Sequence, residues 1–267
     1  MNSKRLLFLF MLVMFIVGCE KKQTESTELI KSPGLTTPTE PAESVHQTIA
    51  EDNVAKIKPH VSSSTDVDAR DEVLQTQLHE AALNGQSDFV ELFIAKGADI
   101  NAKDYEGSTA LHKATEKHHT DVVELLLAKG ADVNARTLDK EETPLIWAAY
   151  YGYNDVAELL IAKGADINAN DNEGCTALHR AAEKHHTDVV ELLLAKGAGV
   201  NAKTYGKEET PLIWAAYYGY HDVAELLIVK GADINVKDQL GRTPLVVAKE
   251  KGREKIVELL RKQGAKE

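Results

Sequence analysis

Residues 109–135 read TALHKATEKHHTDVVELLLAKGADVNA. Thr109 opens a short apolar stretch, the polar Lys117-His118-His119 interrupts it, and a second run, Val122-Val123 with Leu125-Leu126-Leu127, stops at Gly130. A Thr suits a helix N-cap, Asp121 and Lys129 suit the two ends of a helix dipole, and a Gly after the last apolar residue suits the left-handed position that ends a helix. The stretch reads as two short helices joined by a turn. Neither helix could bury its apolar face alone, so neighbours must supply the core.

The rest of the chain supplies them. Hexads recur as TQLHEA at 76, TALHKA at 109, TPLIWA at 143, TALHRA at 176, TPLIWA at 210 and TPLVVA at 243, with steps of 33, 34, 33, 34 and 33. A second marker keeps the same step: GADIN at 97, GADVN at 130, GADIN at 164, GAGVN at 197, GADIN at 231 and a truncated GA at 264. Two markers in register over six copies define a repeat architecture, and six stacked units are enough to bury a continuous core.

The T-P-L-H-x-A hexad and the 33-residue period resemble those of the ankyrin repeat family from about residue 71 to 267. The resemblance implies an all-α solenoid of six helix-turn-helix units with projecting β-hairpin loops: 71–102, 103–135, 136–169, 170–202, 203–236 and 237–267. Gln77 at the Pro position, with no recognisable hairpin ahead of it, makes the first copy an N-terminal cap. The charged second helix of the last (Arg253, Glu254, Lys255, Glu258, Arg261, Lys262) makes it a C-terminal cap. Residues 103–169 and 170–236 are nearly identical, so units alternate between a type A (from 103 and 170) and a type B (from 136 and 203).

Ahead of the repeats, Lys4 and Arg5 precede an unbroken apolar run, Leu6 to Val17, that ends at Gly18-Cys19. Twelve apolar residues are too few to span about 30 Å of hydrocarbon as a helix, and the pattern is that of a secretory signal, residues 1–18. Ile16-Val17-Gly18-Cys19 resembles the lipobox of bacterial lipoproteins, which implies cleavage before Cys19, lipidation of its thiol and a lipid anchor; the alternative is a plain signal peptide with Cys19 incidental. Glu20, in place of the Asp linked in that family to inner-membrane retention, points to the outer membrane, periplasmic side, in a cell with two membranes. Residues 19–70 are rich in Ser, Thr, Glu and Pro without an apolar period, which reads as the lipidated Cys followed by a disordered linker. About 50 residues of coil have an r.m.s. span of roughly 40 Å.

Without residues 1–18 the chain has 29 Lys plus Arg against 42 Asp plus Glu, a net charge of −13. That excess disfavours nucleic acid and anionic headgroups as bulk partners. Cys175 is the one thiol besides Cys19, so a lipidated chain has no intrachain disulfide.

Ten His residues raise the possibility of a metal site or a general base. The pairs His118-His119 and His185-His186 are chain neighbours pointing in different directions, unlike ligands at i, i+4 on a helix, and the structural reading is preferred to a His-based metal protein or enzyme. The resemblance assigns His79, His112, His119, His179 and His186 to hydrogen bonds between units. His118 and His185 replace the family's turn Gly and imply a non-Gly residue in a left-handed conformation. No phosphate loop, nucleophile elbow, metalloprotease helix or paired-Cys motif occurs, so neither catalysis nor a cofactor is expected. Glu124, Glu158, Glu191 and Glu225 recur as a solvated helix face, and Cys175, in the place of Ser108, reads as incidental.

The aromatic residues are the other anomaly: TPLIWAAYYGY occupies 143–153 and returns at 210–220. The resemblance places the two positions after the Ala pair in the concave groove through which ankyrin proteins bind partners. Those positions are Tyr150-Tyr151 and Tyr217-Tyr218 in type B, and Glu116-Lys117 and Glu183-Lys184 in type A. Tyr offers large contact area at low entropic cost, and these residues, with Tyr105, Leu138 and Tyr205 in the loops, are the candidate partner surface. Trp147 and Trp214 read as packing between units, Tyr153 and Tyr220 as structural turn residues. The type B loops Leu138-Asp139-Lys140-Glu141-Glu142 and Tyr205-Gly206-Lys207-Glu208-Glu209 add acidic tips, which suits a protein partner of basic or mixed charge. The expectation is an envelope scaffold or stabiliser, with an inhibitor or immunity-type role against a toxin or host protein as the alternative.

Overall fold

The computed structural model describes residues 67–266, which hold twelve helices in six antiparallel pairs. They are α1 (Gln77–Leu83) and α2 (Ser87–Ala95), α3 (Ala110–Glu116) and α4 (Thr120–Ala128), α5 (Pro144–Tyr151) and α6 (Asn154–Ala162), α7 (Ala177–Lys184) and α8 (Thr187–Ala195), α9 (Pro211–Tyr218) and α10 (His221–Val229), and α11 (Pro244–Glu250) and α12 (Glu254–Lys262). First helices stack on first helices and second on second along the row. The signal sequence, Cys19 and the linker as far as residue 66 lie outside the described residues. None of the described helices is long and apolar enough to cross a membrane.

Each first helix starts at a Thr in extended conformation, in one of two ways. Thr143, Thr210 and Thr243 accept the N–H of Ile146, Ile213 and Val246 on their side-chain oxygens, with Pro at the next position. In the other three units the His of the hexad reaches back. His79, His112 and His179 accept the N–H of Thr76, Thr109 and Thr176 on Nδ1, each at 3.2 Å. That leaves Nε2–H to donate across to the next unit, to the carbonyls of Ser108, Glu142 and Glu209. One imidazole thus caps its own helix and fastens the following loop.

The main core is a strip along the row, with a smaller cluster of Ile213, Val236 and Val247 beside it. Leu78, Leu111, Leu145, Leu178, Leu212 and Leu245 are buried, with the small pairs Ala81-Ala82, Ala148-Ala149, Ala181-Ala182 and Ala215-Ala216 between them. Those small side chains let helices approach closely, while Val122, Leu126, Val156, Leu160, Val189 and Leu193 fill the space behind. A second ladder ties the units at the opposite end. The side-chain oxygens of Asp68, Asn101, Asn134, Asn168, Asn201 and Asn235 accept the N–H of Asp99, Asp132, Asp166, Gly199, Asp233 and Lys266, about 31 residues on in each case.

The loops close on themselves through backbone bonds such as Asp104 N–H to Ser108 O and Thr137 N–H to Glu142 O, without forming regular strands. The described residues contain no strand, only an isolated bridge between Asn170 and Thr176. The amides that a ladder would use are taken by a carboxylate. Asp104 Oδ1 accepts the N–H groups of Glu106 and Ser108, and Asp171 and Asp238 act alike. The first unit also has this loop, contrary to its reading as lacking one: Asp71 Oδ1 accepts Val73 and Gln75 N–H, and Leu74 adopts φ 60° where Gly107 has 78°. In type B, Thr137 and Thr204 take the place of the Asp and the loop holds one more residue, with Glu141 and Glu208 at φ 56° and 53°. That insertion is the source of the 34-residue steps.

Candidate functional site

From α3 onward, each first helix is closed by a pair of residues at the same position of the repeat. Along the row they are Glu116-Lys117, Tyr150-Tyr151, Glu183-Lys184, Tyr217-Tyr218 and, beyond the positions anticipated, Glu250-Lys251. The Glu-Lys dipeptides recur every 67 residues, a signal present in the sequence but hidden by the different letters around the last copy. The four Tyr are 37–41% exposed, and their environment is the same in both copies.

The rings are held rather than loose. Tyr151 meets Tyr150 edge to face at 5.2 Å and lies nearly parallel to Tyr153 at 5.6 Å; Tyr153 is stacked on His118 of the preceding unit at 4.1 Å and 3°. On the far side Lys184 Nζ of the next unit sits 4.5 Å from the centre of the Tyr150 ring. The second copy repeats the chain through His185, Tyr220, Tyr218, Tyr217 and Lys251, with Lys251 4.4 Å above Tyr217. Backbone bonds complete the frame: His186 Nε2–H donates to Tyr150 O and Arg253 Nε–H to Tyr217 O. Burial and the neighbouring Glu116 or Glu183 raise the phenol pKa of Tyr151 and Tyr218, so both rings stay neutral donors at physiological pH. Each Tyr rung is clamped by the units on either side of it and presents fixed, part-exposed aromatic surface.

His118 and His185 explain their own place at the turn. Both have left-handed backbones, φ 60° and 63°, which aim the ring at the next unit. There Nε2 meets Asp155 Oδ1 at 2.8 Å and Asp222 Oδ1 at 2.7 Å, and the second oxygen of each carboxylate accepts Thr120 or Thr187. Their chain neighbours point the other way, with His119 Nε2 donating to Leu83 O of the preceding unit. Among the described residues no three His, Cys, Asp or Glu converge as metal ligands. Cys175 is buried, and burial pushes its thiol up to about 12.

Trp147 and Trp214 are packing residues with a polar tether. Trp147 meets His112 of the preceding unit edge to face at 5.1 Å, and its Nε1–H donates to Glu142; Trp214 does the same with His179 and Glu209. Of the type B loop carboxylates, Glu142 and Glu209 turn inward to the indoles, while Asp139, Glu141 and Glu208 stay exposed, the last two paired with Arg136 and Lys203. Apolar side chains project beside them: Tyr105 and Leu138 at 65% exposure, Tyr205 at 59% and, not anticipated, Leu240 at 75%. Adjacent loops are joined by single backbone bonds, such as Leu138 N–H to Glu106 O and Tyr205 N–H to Glu173 O.

A family profile described as ankyrin repeats (3 copies) matches residues 45–137, 135–204 and 202–267. The chain belongs to the ankyrin repeat family. Among solved structures, the ankyrin repeat domain of Bcl-3, a member of the IkappaB protein family, is similar at 30% identity and a TM-score of 0.73, over 81% of this chain and 97% of that one. A comparison with the curated proteins finds no match. Ankyrin repeats are protein-interaction modules, generally without catalysis of their own.

Proposed function

We propose that this ankyrin chain is lipid-anchored through Cys19 and binds a protein of the cell envelope on the face made by its Tyr rungs and loop tips. The observation that carries the reading is the clamped pair of aromatic rungs, Tyr150-Tyr151 and Tyr217-Tyr218, alternating with neutral Glu-Lys rungs. Rings already fixed in place lose little entropy when a partner covers them, and aromatic anchors dominate interface energetics. With Glu142 and Glu209 turned inward and Glu141 and Glu208 exposed but paired with Arg136 and Lys203, the partner surface that fits is of mixed charge with apolar or aromatic anchors. The anchor would act by raising local concentration at the membrane, in the role of scaffold or stabiliser.

The experiment is a crosslinked pull-down from envelope extract, comparing the native chain with one in which Tyr150, Tyr151, Tyr217 and Tyr218 are all changed to Ala. A partner lost from the variant, with helical content unchanged, supports the reading. Recovery of the same partner by both moves the site off the aromatic rungs. Separately, Cys19→Ser should move the protein from the membrane fraction to the soluble one; retention in the membrane fraction would refute the anchor.

A further inference from the structure

The two Tyr rungs are equivalent subsites with different loops beside them. Between residues 103–169 and 170–236 twelve positions differ, among them Tyr105 against Asn172 and Leu138 against Tyr205 at the loop tips. None of the twelve is a Glu-Lys or Tyr-Tyr position, nor the His and Tyr stacked behind each rung. The geometry repeats as closely: the paired Tyr rings are 5.2 and 5.0 Å apart, and Lys stands 4.5 and 4.4 Å from the ring it covers. Lys251 closes the second rung from a unit that otherwise diverges, TPLVVAKEK at 243 against TALHRAAEK at 176.

The subsites offer side chains rather than main-chain partners. Glu116 O, Tyr150 O and Tyr217 O, the carbonyls at the rungs, already accept Tyr153 O–H, His186 Nε2–H and Arg253 Nε–H from the next unit. An extended peptide gains nothing from those carbonyls, whereas a helix pairs its own main chain and presents side chains alone. A cationic anchor is disfavoured, because Lys184 and Lys251 already lie against Tyr150 and Tyr217. Between the two rungs Glu183 is held by Arg180 and Lys184, so the charges met there are already paired. Helices α5, α7 and α9 pack side by side, and packed helices stand about 8–10 Å apart, which puts the two rungs roughly 16–20 Å apart.

We infer that one amphipathic helix of the partner spans both Tyr rungs at once, with two aliphatic anchors about eleven residues apart on one face. This rests on the protein-binding reading of the same rungs and adds the form of the ligand. A helix rises about 1.5 Å per residue, so eleven residues cover about 16 Å in about three turns and return the side chain to the same face. Anchors about seven residues apart also share a face but cover only about 10 Å, too short to reach from one rung to the other.

The test uses fluorescently labelled helical peptides of Ala, Glu and Lys, titrated with the full-length chain and followed by anisotropy. A peptide carrying two Leu eleven residues apart should bind one per chain. It should bind about tenfold or more tighter than the same peptide with one Leu or with two Leu seven residues apart, because linked anchors act together. Changing Tyr150 and Tyr151 to Ala, or Tyr217 and Tyr218 to Ala, should each reduce it to the affinity of the one-Leu peptide. Equal affinity for the two spacings, two peptides bound per chain, or no binding by any peptide would overturn the inference. The comparison of spacings is made on the native chain, so it holds even if an Ala variant fails to fold. The pull-down separates this inference from the reading beneath it. A partner lost by the fourfold Tyr→Ala chain but kept by both two-Tyr variants leaves protein binding at the rungs standing and overturns the single spanning helix. A partner kept by the fourfold variant overturns both.

Discussion

His118 Nε2 lies 2.8 Å from Asp155 Oδ1, 37 residues along the chain, while its own backbone is held at φ 60°. The left-handed conformation costs a non-Gly residue about 1–2 kcal/mol, and here that strain aims a ring at the carboxylate and at Tyr153. Two opposing effects of similar size make substitution informative. His118→Gly should leave stability within about 1 kcal/mol of the native chain, because relief of strain offsets the lost hydrogen bond. Asp155→Ala keeps the strain and orphans both His118 and Thr120, so it should cost more, about 1–2 kcal/mol. Denaturant unfolding of the two variants checks the order; an Asp155→Ala chain as stable as the native one would show that the contact fastens nothing.

Lys184 over Tyr150 and Lys251 over Tyr217 make the same contact in the two copies. Lys184→Met keeps most of the aliphatic stem and removes the charge, so it separates the cation's attraction to the ring and to Glu183 from packing. A loss of about 0.5–1 kcal/mol is expected for each Lys→Met change, with little loss in Lys184→Arg. Equal stability of the Met and Arg variants would assign the contact to packing alone.

Ser108 and Cys175 occupy equivalent places in the two type A loops, both buried, but the Ser108 hydroxyl has no hydrogen-bond partner. A buried unpaired hydroxyl costs about 1–3 kcal/mol, whereas a thiol there behaves as a small apolar group. Ser108→Cys should therefore raise the unfolding midpoint, and Cys175→Ser should lower it. The opposite signs would mean that the hydroxyl finds a partner in solution. Because burial raises the Cys175 thiol to about 12, it should also resist thiol reagents in the folded state and react only on unfolding.

Much of this was legible before any coordinates. The 33-residue step gave the unit, and Thr and Gly gave the helix limits, because each is a local rule repeated six times; the doubled Tyr, present in two units, marked positions that are part-exposed. What stayed hidden was mostly set across units. Nothing near Glu142 in sequence says that its carboxylate turns to Trp147, five residues on, instead of projecting from a loop tip. His118 looked like an unexplained strain because its reason, Asp155, belongs to the next unit. The Asp71 loop was missed because Leu74 stands where the other loops of that kind have Gly, although the Asp that closes it was in register. The projecting loops close on one backbone bond each, with an Asp carboxylate accepting two further loop amides, a detail that the repeat spacing does not specify.

His112 and His179 make stability depend on acid in a defined window. Each uses Nδ1 as an acceptor for its own helix and Nε2–H as a donor to the next unit, so neither nitrogen can take another proton without breaking a bond. Burial lowers both to about 4 from an ordinary 6.5. A pKa depressed on folding means that the unfolded chain binds protons first as pH falls. The stabilisation is complete above pH 6.5, declines as pH drops from there, and is lost near pH 4. The two sites together should account for several kcal/mol of that loss, on the order of 3 kcal/mol each. Changing both to Gln keeps a side chain able to reach back to the Thr N–H but cannot titrate. The double variant should be less stable than the native chain at pH 7, having lost the bonds to Glu142 and Glu209, yet should lose less stability between pH 6.5 and 4.5. Denaturant unfolding across that range decides it: parallel curves for the two chains would mean that other groups carry the acid sensitivity.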